Sequence, residues 1–271
     1  MHHPAATIAR YWPFANGSGR IVDRFASSVD LGSGEIICKT TDGFSMTVLA
    51  DDLIGKHLAL TGRFDRSPVQ ALLNYSKPGD VFVDVGANIG YVSGCFLSNI
   101  PDGRAICIEP QPEVINLLKR NLQQFGKRSE VHPVALSDDD SEGWLHINSI
   151  NRGGSRIVAA KDAESVQVKM VNAGKLFSKI DRMDLLKIDV EGMEDIVFQS
   201  IENEMLRLKP RAILFEDQTG EAYPNGKIGS ILKRSGYKVK GIQKQLLKTR
   251  LIEVHSRREC HPNDYLAIRQ T

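Results

Sequence analysis

The chain has 271 residues, of which 41% are hydrophobic and 25% charged, close to the averages for globular proteins, so neither a disordered nor a fibrous protein is expected. Its 35 basic residues are balanced by 33 acidic ones, and the formal net charge of +2 argues against a nucleic-acid partner. No run of 18 apolar residues and no export signal is recognisable, and the four cysteines lack metal-ligand or disulfide spacing. These features favour a cytoplasmic protein without a transmembrane segment.

The first 66 residues are predicted to form a β-rich N-terminal extension. Residues 19–50 are interpreted as short strands, with strands at 35–39 and 44–49 on either side of a turn at 41–43. A helix is then expected from Ser67 and Pro68, ending near residues 77–80. Residues 67–271 are expected to form one catalytic domain.

From residue 81 onward, short apolar segments alternate with helical patterns. Because these strands show no polar alternation, a parallel sheet covered on both faces is expected, which is the α/β doubly wound, Rossmann-like arrangement. Residues 138–180 interrupt the rhythm and are interpreted as a loop with extra strands that covers a site. The predicted strands are 81–85, 105–108, 131–136, 185–190 and 212–215, the predicted helices are 89–97 and 113–125, and residues 238–242 and 265–268 are predicted to form a terminal hairpin.

A glycine-containing turn, VDVGANIGY at residues 83–91, follows the first of these strands and opens a helix. It differs from the dinucleotide fingerprint because Asn88 replaces the second glycine and Asp84 would repel a pyrophosphate. Neither objection applies to a cofactor that has a positively charged sulfur and no phosphate. The turn therefore predicts a site for S-adenosylmethionine, and an NAD-dependent oxidoreductase is disfavoured.

Acidic residues mark the ends of three further strands. Glu109 follows Asp84 by 25 residues and is placed to accept hydrogen bonds from ribose hydroxyls. Asp189 and Glu191 follow the fourth strand in LLKIDVEG at residues 185–192, and Glu216 ends the fifth. These last three are candidates for a general base, with Glu191 or Glu216 favoured over Asp189.

Other roles for these carboxylates stay open. Asp189 or Glu191 would alternatively cap the following helix, and His146 is a further, less favoured base. The three carboxylates would also suit Mg²⁺, although a site without a metal ion is favoured. Trp144 and the loop at residues 152–156 are candidates for contact with an acceptor.

Lysines and arginines are densest at residues 233–258. This stretch is interpreted as a solvated face, with binding to an anionic acceptor or to a membrane surface as alternatives.

Three motifs in order, GDVFVDVGANIGY at residues 79–91, IEP at 108–110 and LLKIDVEG at 185–192, resemble the FkbM family of S-adenosylmethionine-dependent methyltransferases. Residues 263–268 resemble the family's C-terminal strand. The resemblance implies a seven-stranded sheet with an antiparallel last strand, and O-methylation of sugars, polyketides or other natural products. The residues it implies around the cofactor are Asp84, Gly86, Asn88, Gly90 and Tyr91 for the methionine part, Glu109 and Pro110 for the ribose, and Ala135, Leu136 and Ser137 for the adenine.

The sequence departs from the family at residues 171–176, VNAGKL, where a Leu-Asp pair is usual. The expected function is methyl transfer to a hydroxyl of a small acceptor, a carbohydrate or another natural product. N-methylation and a non-catalytic cofactor-binding protein are the alternatives. The acceptor's identity and the oligomeric state are not predicted.

Overall fold

A mixed eight-stranded sheet forms the centre of the protein. The structure is a computed structural model that describes residues 4–14, 16–25, 29, 31–255 and 263–270. In spatial order the strands are β13 (Thr249–Glu253), β12 (Tyr237–Lys244), β14 (Asp264–Arg269), β11 (Ala212–Glu216), β10 (Leu185–Ile188), β3 (Val81–Val85), β4 (Arg104–Ile108) and β5 (Ser129–His132).

Five of these strands, β11, β10, β3, β4 and β5, pair in parallel, and β14 runs antiparallel between β11 and β12. This confirms the predicted doubly wound sheet with its antiparallel last strand. One strand more than the predicted seven is present, because β13 pairs with β12 at the edge. The predicted pairing of residues 238–242 with 265–268 is found between β12 and β14, with β13 intervening in the chain.

Helices cover both faces of the sheet. Buried side chains between sheet and helices form one core on each face, and the central strands β3 and β10 are buried throughout. The helices are α4 (Arg66–Leu73), α5 (Tyr91–Asn99), α6 (Pro112–Leu122), α7 (Ala173–Phe177), α8 (Glu194–Ser200), α9 (Glu202–Leu208) and α10 (Lys227–Arg234), and a 3₁₀ segment, Gln123–Arg128, extends α6.

The predicted third strand, residues 131–136, is two strands. Pro133 has no N–H to donate to a ladder, and the Val134 N–H instead bonds the carbonyl of His132 at 3.0 Å in a tight turn. After this turn the chain enters a second, four-stranded sheet that contains most of residues 135–172. Its strands in spatial order are β6 (Ala135–Ser137), β9 (Ser165–Asn172), β7 (Ser141–His146) and β8 (Arg156–Val158).

The N-terminal extension contains the predicted hairpin, β1 (Glu35–Lys39) with β2 (Ser45–Leu49). The other elements described in the extension are helices, so "β-rich" is wrong for most of it: they are α1 (Pro4–Arg10), α2 (Ser18–Phe25) and α3 (Leu53–Thr61). Buried side chains of β1, β2 and α3 pack in one hydrophobic cluster with those of α4, α5 and α6. The extension therefore shares a core with the rest of the chain.

Within the described part of the chain, no helix has both the length and the apolar character needed to cross a membrane. The basic stretch predicted as a solvated face includes β12 and β13, where Lys238 and Lys240 pair with Glu253. Residues 256–258 of that stretch lie outside the described residues, as does Cys260. The other cysteines, Cys38, Cys95 and Cys107, are buried free thiols.

Candidate active site

A cleft opens where β3, β4 and β10 end, because parallel strands bring their carboxyl ends to one edge of the sheet. Its empty space is about 970 Å³, counted out to its open mouth. We call it the main cleft. The residues predicted from the sequence that line it are Gly86, Asn88, Tyr91, Glu109, Pro110, Ala135, Leu136, Asp189 and Glu191, whereas Asp84, Gly90, Ser137 and Glu216 do not.

Glu109 is held by the turn it faces. Its two carboxylate oxygens accept hydrogen bonds from the backbone N–H groups of Asn88, at 2.8 Å, and Gln111, at 2.9 Å. Burial raises the pKa of Glu109 to about 7 against these bonds, which favour the ionised form. The side chain is thus fixed at the end of β4, where it lines the cleft.

Gln111 is a residue of the site that the sequence analysis did not identify. Its side chain is 1% exposed and lines the main cleft, and its Nε2 has no hydrogen-bond partner within the described protein. A buried amide without a partner is costly, so an acceptor group of a ligand or a bound water is expected beside it. Its position directly after the Glu109-Pro110 pair is the signal that was available.

The two glycines of the turn serve packing. Gly86 has φ +76°, and a Cβ there would lie 1.7 Å from the backbone oxygen of Asp189. Gly90 has φ +87°, and its Cβ would meet Leu118 at 2.8 Å. Both glycines are therefore required for left-handed backbone and for close contact within the protein.

Asp84 lies beneath the cleft, fully buried, so its predicted place on the cleft wall is wrong. It accepts a hydrogen bond from the Ser93 hydroxyl at 2.6 Å, and its other oxygen is 3.4 Å from the Lys187 ammonium. Asp84 and Lys187 are register partners on neighbouring strands, which places their side chains on one face of the sheet. The carboxylate therefore acts on the site through this lysine.

Lys187 is the second residue that the sequence analysis missed. Its ammonium donates to the Gly86 carbonyl at 2.9 Å and lies 3.2 Å from Asp189. Burial opposes its charge, but the carboxylates of Asp189 and Asp84 outweigh it and raise the pKa of Lys187 above its usual value. A lysine within the apolar run of β10 was the available signal, because buried ammonium groups are nearly always paired.

Three carboxylates meet at the mouth of the cleft. Oxygens of Asp189, Glu191 and Glu216 lie within 4.8 Å of one another. Asp189 and Glu191 line both the main cleft and an adjoining hollow, which Glu216 also lines. Burial, and then repulsion from Asp189, raise the pKa of both Glu191 and Glu216 to about 7. The predicted base candidates are therefore brought together, with a spacing that also suits a divalent cation.

The loop that carries Glu191 is closed by Glu194, whose carboxylate accepts from the N–H groups of Val190 and Gly192, both at 3.0 Å. Glu191 itself has φ 54°, a left-handed conformation rare outside glycine. Helix α8 begins after Met193 without a side-chain cap, so neither Asp189 nor Glu191 caps it. That alternative is excluded.

The second sheet supplies a cover over the cleft. Arg152, Gly153 and Ser155 line the main cleft, and the Arg152 N–H is held by Asp52 at 2.8 Å. This agrees with the prediction that residues 138–180 cover a site.

Two further predictions about the second sheet are not met. Trp144 lines neither the main cleft nor the hollow, and a Lys161 ammonium lies over its ring. His146 also lies outside both and pairs with Asp162 at 2.8 Å, so its role as a base is not supported. The departure at residues 171–176 has a structural function, because Asn172 caps α7 by accepting from the Lys175 N–H.

The sheet order, the antiparallel strand β14 and the cleft at the carboxyl edge define a Rossmann-like fold of the methyltransferase class. A family model, the methyltransferase FkbM domain, matches residues 84–239, which is more than half of the chain. The protein therefore belongs to the FkbM methyltransferase family, as its motifs predicted.

Other similarities are more distant. AMB antimetabolite synthetase AmbE of Pseudomonas aeruginosa is 24% identical over 213 residues, 63% of this chain and 10% of that protein. A protein-L-isoaspartate O-methyltransferase of Aeropyrum pernix is 26% identical over 144 residues, 53% of this chain and 50% of that protein. The chain thus spans from a tenth to half of these curated relatives. A solved methyltransferase FkbM from Methylobacillus flagellatus aligns with a TM-score of 0.49 and 13% identity, covering 98% of this chain and 58% of that chain.

Proposed function

We propose that the protein transfers a methyl group from S-adenosylmethionine to a hydroxyl of a small acceptor, a sugar or another natural product. The observation that carries this proposal is the convergence of Asp189, Glu191 and Glu216 at the mouth of the main cleft. Membership of the FkbM family supports methyl transfer. The nature of the acceptor rests on the acid-lined hollow and on the family resemblance.

The residues of the main cleft fit this cofactor. Glu109 faces the cleft with lone pairs left for ribose hydroxyls, and the unpartnered Gln111 amide supplies a donor beside it. Ala135 and Leu136 provide an apolar wall for the adenine, and Asn88 and Tyr91 also line the cleft. When bound there, S-adenosylmethionine supplies a methyl group on a positively charged sulfur, which carboxylates at the mouth favour.

The adjoining hollow is the proposed place of the acceptor. Its oxygen must lie in line with the breaking carbon–sulfur bond, so that the oxygen–carbon bond forms as the sulfur leaves. The hydroxyl proton passes to a carboxylate. Glu191 or Glu216 takes this role, because a pKa near 7 leaves a substantial ionised fraction at neutral pH while keeping the group basic.

Asp189 is a positioning residue in this scheme. The Lys187 ammonium at 3.2 Å neutralises part of its charge and holds the carboxylate in place. Its remaining field keeps the two glutamates basic, since repulsion from Asp189 contributes to both shifts. The order of preference predicted from the sequence, with Asp189 last, is kept.

The test compares Glu191→Gln and Glu216→Gln with the wild type. At least one variant should bind S-adenosylmethionine with unchanged affinity in calorimetry and lose about 10²- to 10⁴-fold in turnover with an active acceptor. Glu142→Gln, an exposed glutamate on β7, is the matched control and should retain full turnover. If both site variants remain fully active, neither glutamate is the base.

A divalent cation is a second candidate for the same cluster, because the three carboxylates can each offer one oxygen within 4.8 Å. Exhaustive chelation followed by addition of Mg²⁺ distinguishes a metal site from a general base. Turnover that survives chelation supports direct proton removal, whereas loss and recovery with Mg²⁺ assign the carboxylates to a metal. Fragmentation of the product in a mass spectrometer then locates the new methyl group on oxygen or on nitrogen. A cytoplasmic location stays a prediction.

A further inference from the structure

Large apolar side chains are exposed together on one side of the N-terminal extension and the neighbouring β12–β13 turn. Ile8 is 56% and Tyr11 77% exposed on and just after α1, and Phe14 is 36% exposed. Leu246 and Leu247, in the turn, are 53% and 69% exposed. Contiguous exposed apolar surface is uncommon on soluble proteins and usually marks an interaction site. We call these five residues the apolar tip.

Hydrogen bonds join the two segments into one surface. The Asn16 backbone N–H donates to the Leu246 carbonyl at 3.2 Å, and its side-chain amide donates to the Gln245 carbonyl at 2.7 Å. Trp12 donates its indole N–H to the Asn16 carbonyl at 2.8 Å and packs edge-on against Phe14, with ring centroids 5.3 Å apart. The apolar side chains are therefore presented by an ordered scaffold.

Basic residues outnumber acidic ones in the two segments that carry the tip. Residues 4–25 and 244–251 contain six lysines and arginines but one acidic residue, Asp23, although the whole chain carries a net charge of only +2. Asp23 pairs with His57, and Lys244 pairs with Asp65 and Asp264. The other five cations have no ion pair within the described part of the chain and form the basic rim: Arg10, Arg20, Arg24, Lys248 and Arg250.

We propose that the apolar tip and its basic rim dock on the surface of an anionic lipid membrane. Aromatic and leucine side chains that project from a basic surface enter the boundary between headgroups and acyl chains, while the cations meet lipid phosphates. A second copy of the chain fits less well, because a twofold contact through this face would bring two basic rims together.

The location links this surface to the active site. A pocket beside the tip is lined by Arg20, Lys244 and Leu246, and it shares Phe64 and Asp65 with the adjoining hollow. A membrane bound at the tip would therefore lie next to an opening that leads toward the carboxylates.

Co-sedimentation of the full chain with vesicles tests the proposal without any requirement for turnover, so its outcome is independent of the proposed methyl transfer. We expect binding to vesicles of phosphatidylcholine with phosphatidylglycerol and much weaker binding to phosphatidylcholine alone. Raising the ionic strength from about 0.1 M to about 1 M should release most of the protein, since the screening length falls from about 10 Å to about 3 Å.

Two pairs of variants locate the surface. Lys248→Gln with Arg250→Gln should lower the partition coefficient by about fivefold for each charge removed, and Leu246→Ser with Leu247→Ser by at least about tenfold. The controls are Lys127→Gln with Lys179→Gln, which line a groove at the opposite edge of the sheet, and Leu206→Ser, an exposed leucine on α9. Both controls should bind as the wild type does.

The proposal is overturned if the wild type does not sediment with anionic vesicles, or if the tip variants and their controls bind equally. Sedimentation velocity without lipid provides the remaining comparison. Self-association that disappears in the Leu246→Ser/Leu247→Ser variant, together with no vesicle binding, would assign the tip to a contact between copies of the chain.

Discussion

Replacing Glu191 by glutamine should stabilise the folded protein at alkaline pH, even though it removes a residue proposed to act in the reaction. The carboxylate lies within 4.8 Å of those of Asp189 and Glu216 and is partly buried. Burial and this repulsion raise its pKa from 4.5 to about 7. Its ionised form is thus less stable in the folded than in the unfolded chain, and glutamine has no charge to disfavour.

The magnitude follows from the pKa. A tenfold change in the proton-binding constant corresponds to about 1.4 kcal/mol, so the shift to about 7 sets an upper bound of about 3 kcal/mol. Screening by solvent at the open mouth reduces this to about 1–2 kcal/mol, which would raise the melting temperature by about 2–8 °C for a chain of this size. The isosteric replacement keeps the left-handed backbone, so strain at this position cancels in the comparison.

The sign of the pH dependence provides the sharper test. Because the folded-state pKa is raised, the stability associated with Glu191 is complete below pH 4.5 and is lost as the pH rises through about 7. The difference in melting temperature between variant and wild type should therefore be small at pH 5 and reach its full value by pH 8. Glu142→Gln should show no such trend. A variant that melts below the wild type at pH 8, or a difference independent of pH, would refute this reasoning.

Three other variants test the remaining contacts by denaturation and calorimetry. Gly86→Ala should lose at least about 2 kcal/mol of unfolding free energy in urea, because its Cβ would overlap the backbone of the neighbouring loop in a left-handed conformation; unchanged stability would contradict that packing role. Gln111→Leu should weaken S-adenosylmethionine binding about 5- to 20-fold in calorimetry without lowering the stability of the free protein, since the amide has no partner there; equal affinity would show that the amide does not meet the cofactor. Lys187→Met should cost about 3–5 kcal/mol by leaving Asp84 buried without its cation, and adding Asp84→Asn should recover part of this loss; a double variant no better than the single one would indicate that the lysine acts elsewhere.

The central sheet could be predicted because its strands are short apolar runs that end at glycine, proline or acidic residues. The segments Val81–Val85 and Ala212–Glu216 were placed within a residue of their observed bounds. The split after His132 was also encoded, in Pro133, but a continuous apolar pattern on both sides concealed it. Helix α2 was missed because a helix of eight residues has little stability of its own and forms where packing in the extension buries Val22.

For the site, it could be predicted from the sequence which strand ends lie together. The family resemblance placed Asp84 beside the methionine part of the cofactor, yet a strand buried on both faces has no polar alternation to show which way each side chain points. For the same reason the pairing of Asp84 with Lys187 could not be read. Glu109, Asp189 and Glu191 follow their strands in the turns, where the edge of the sheet alone determines their position.

Gly86 connects the turn at the main cleft with the loop that carries Asp189 and Glu191. Its carbonyl is bound by Lys187, its α-carbon abuts the Asp189 carbonyl, and the Asp189 N–H donates to Val85. The turn proposed to hold the methyl donor and the loop that carries the acids are thereby fastened at three points. Their separation is set during folding, so neither ligand has to bring the reacting groups into alignment when it arrives.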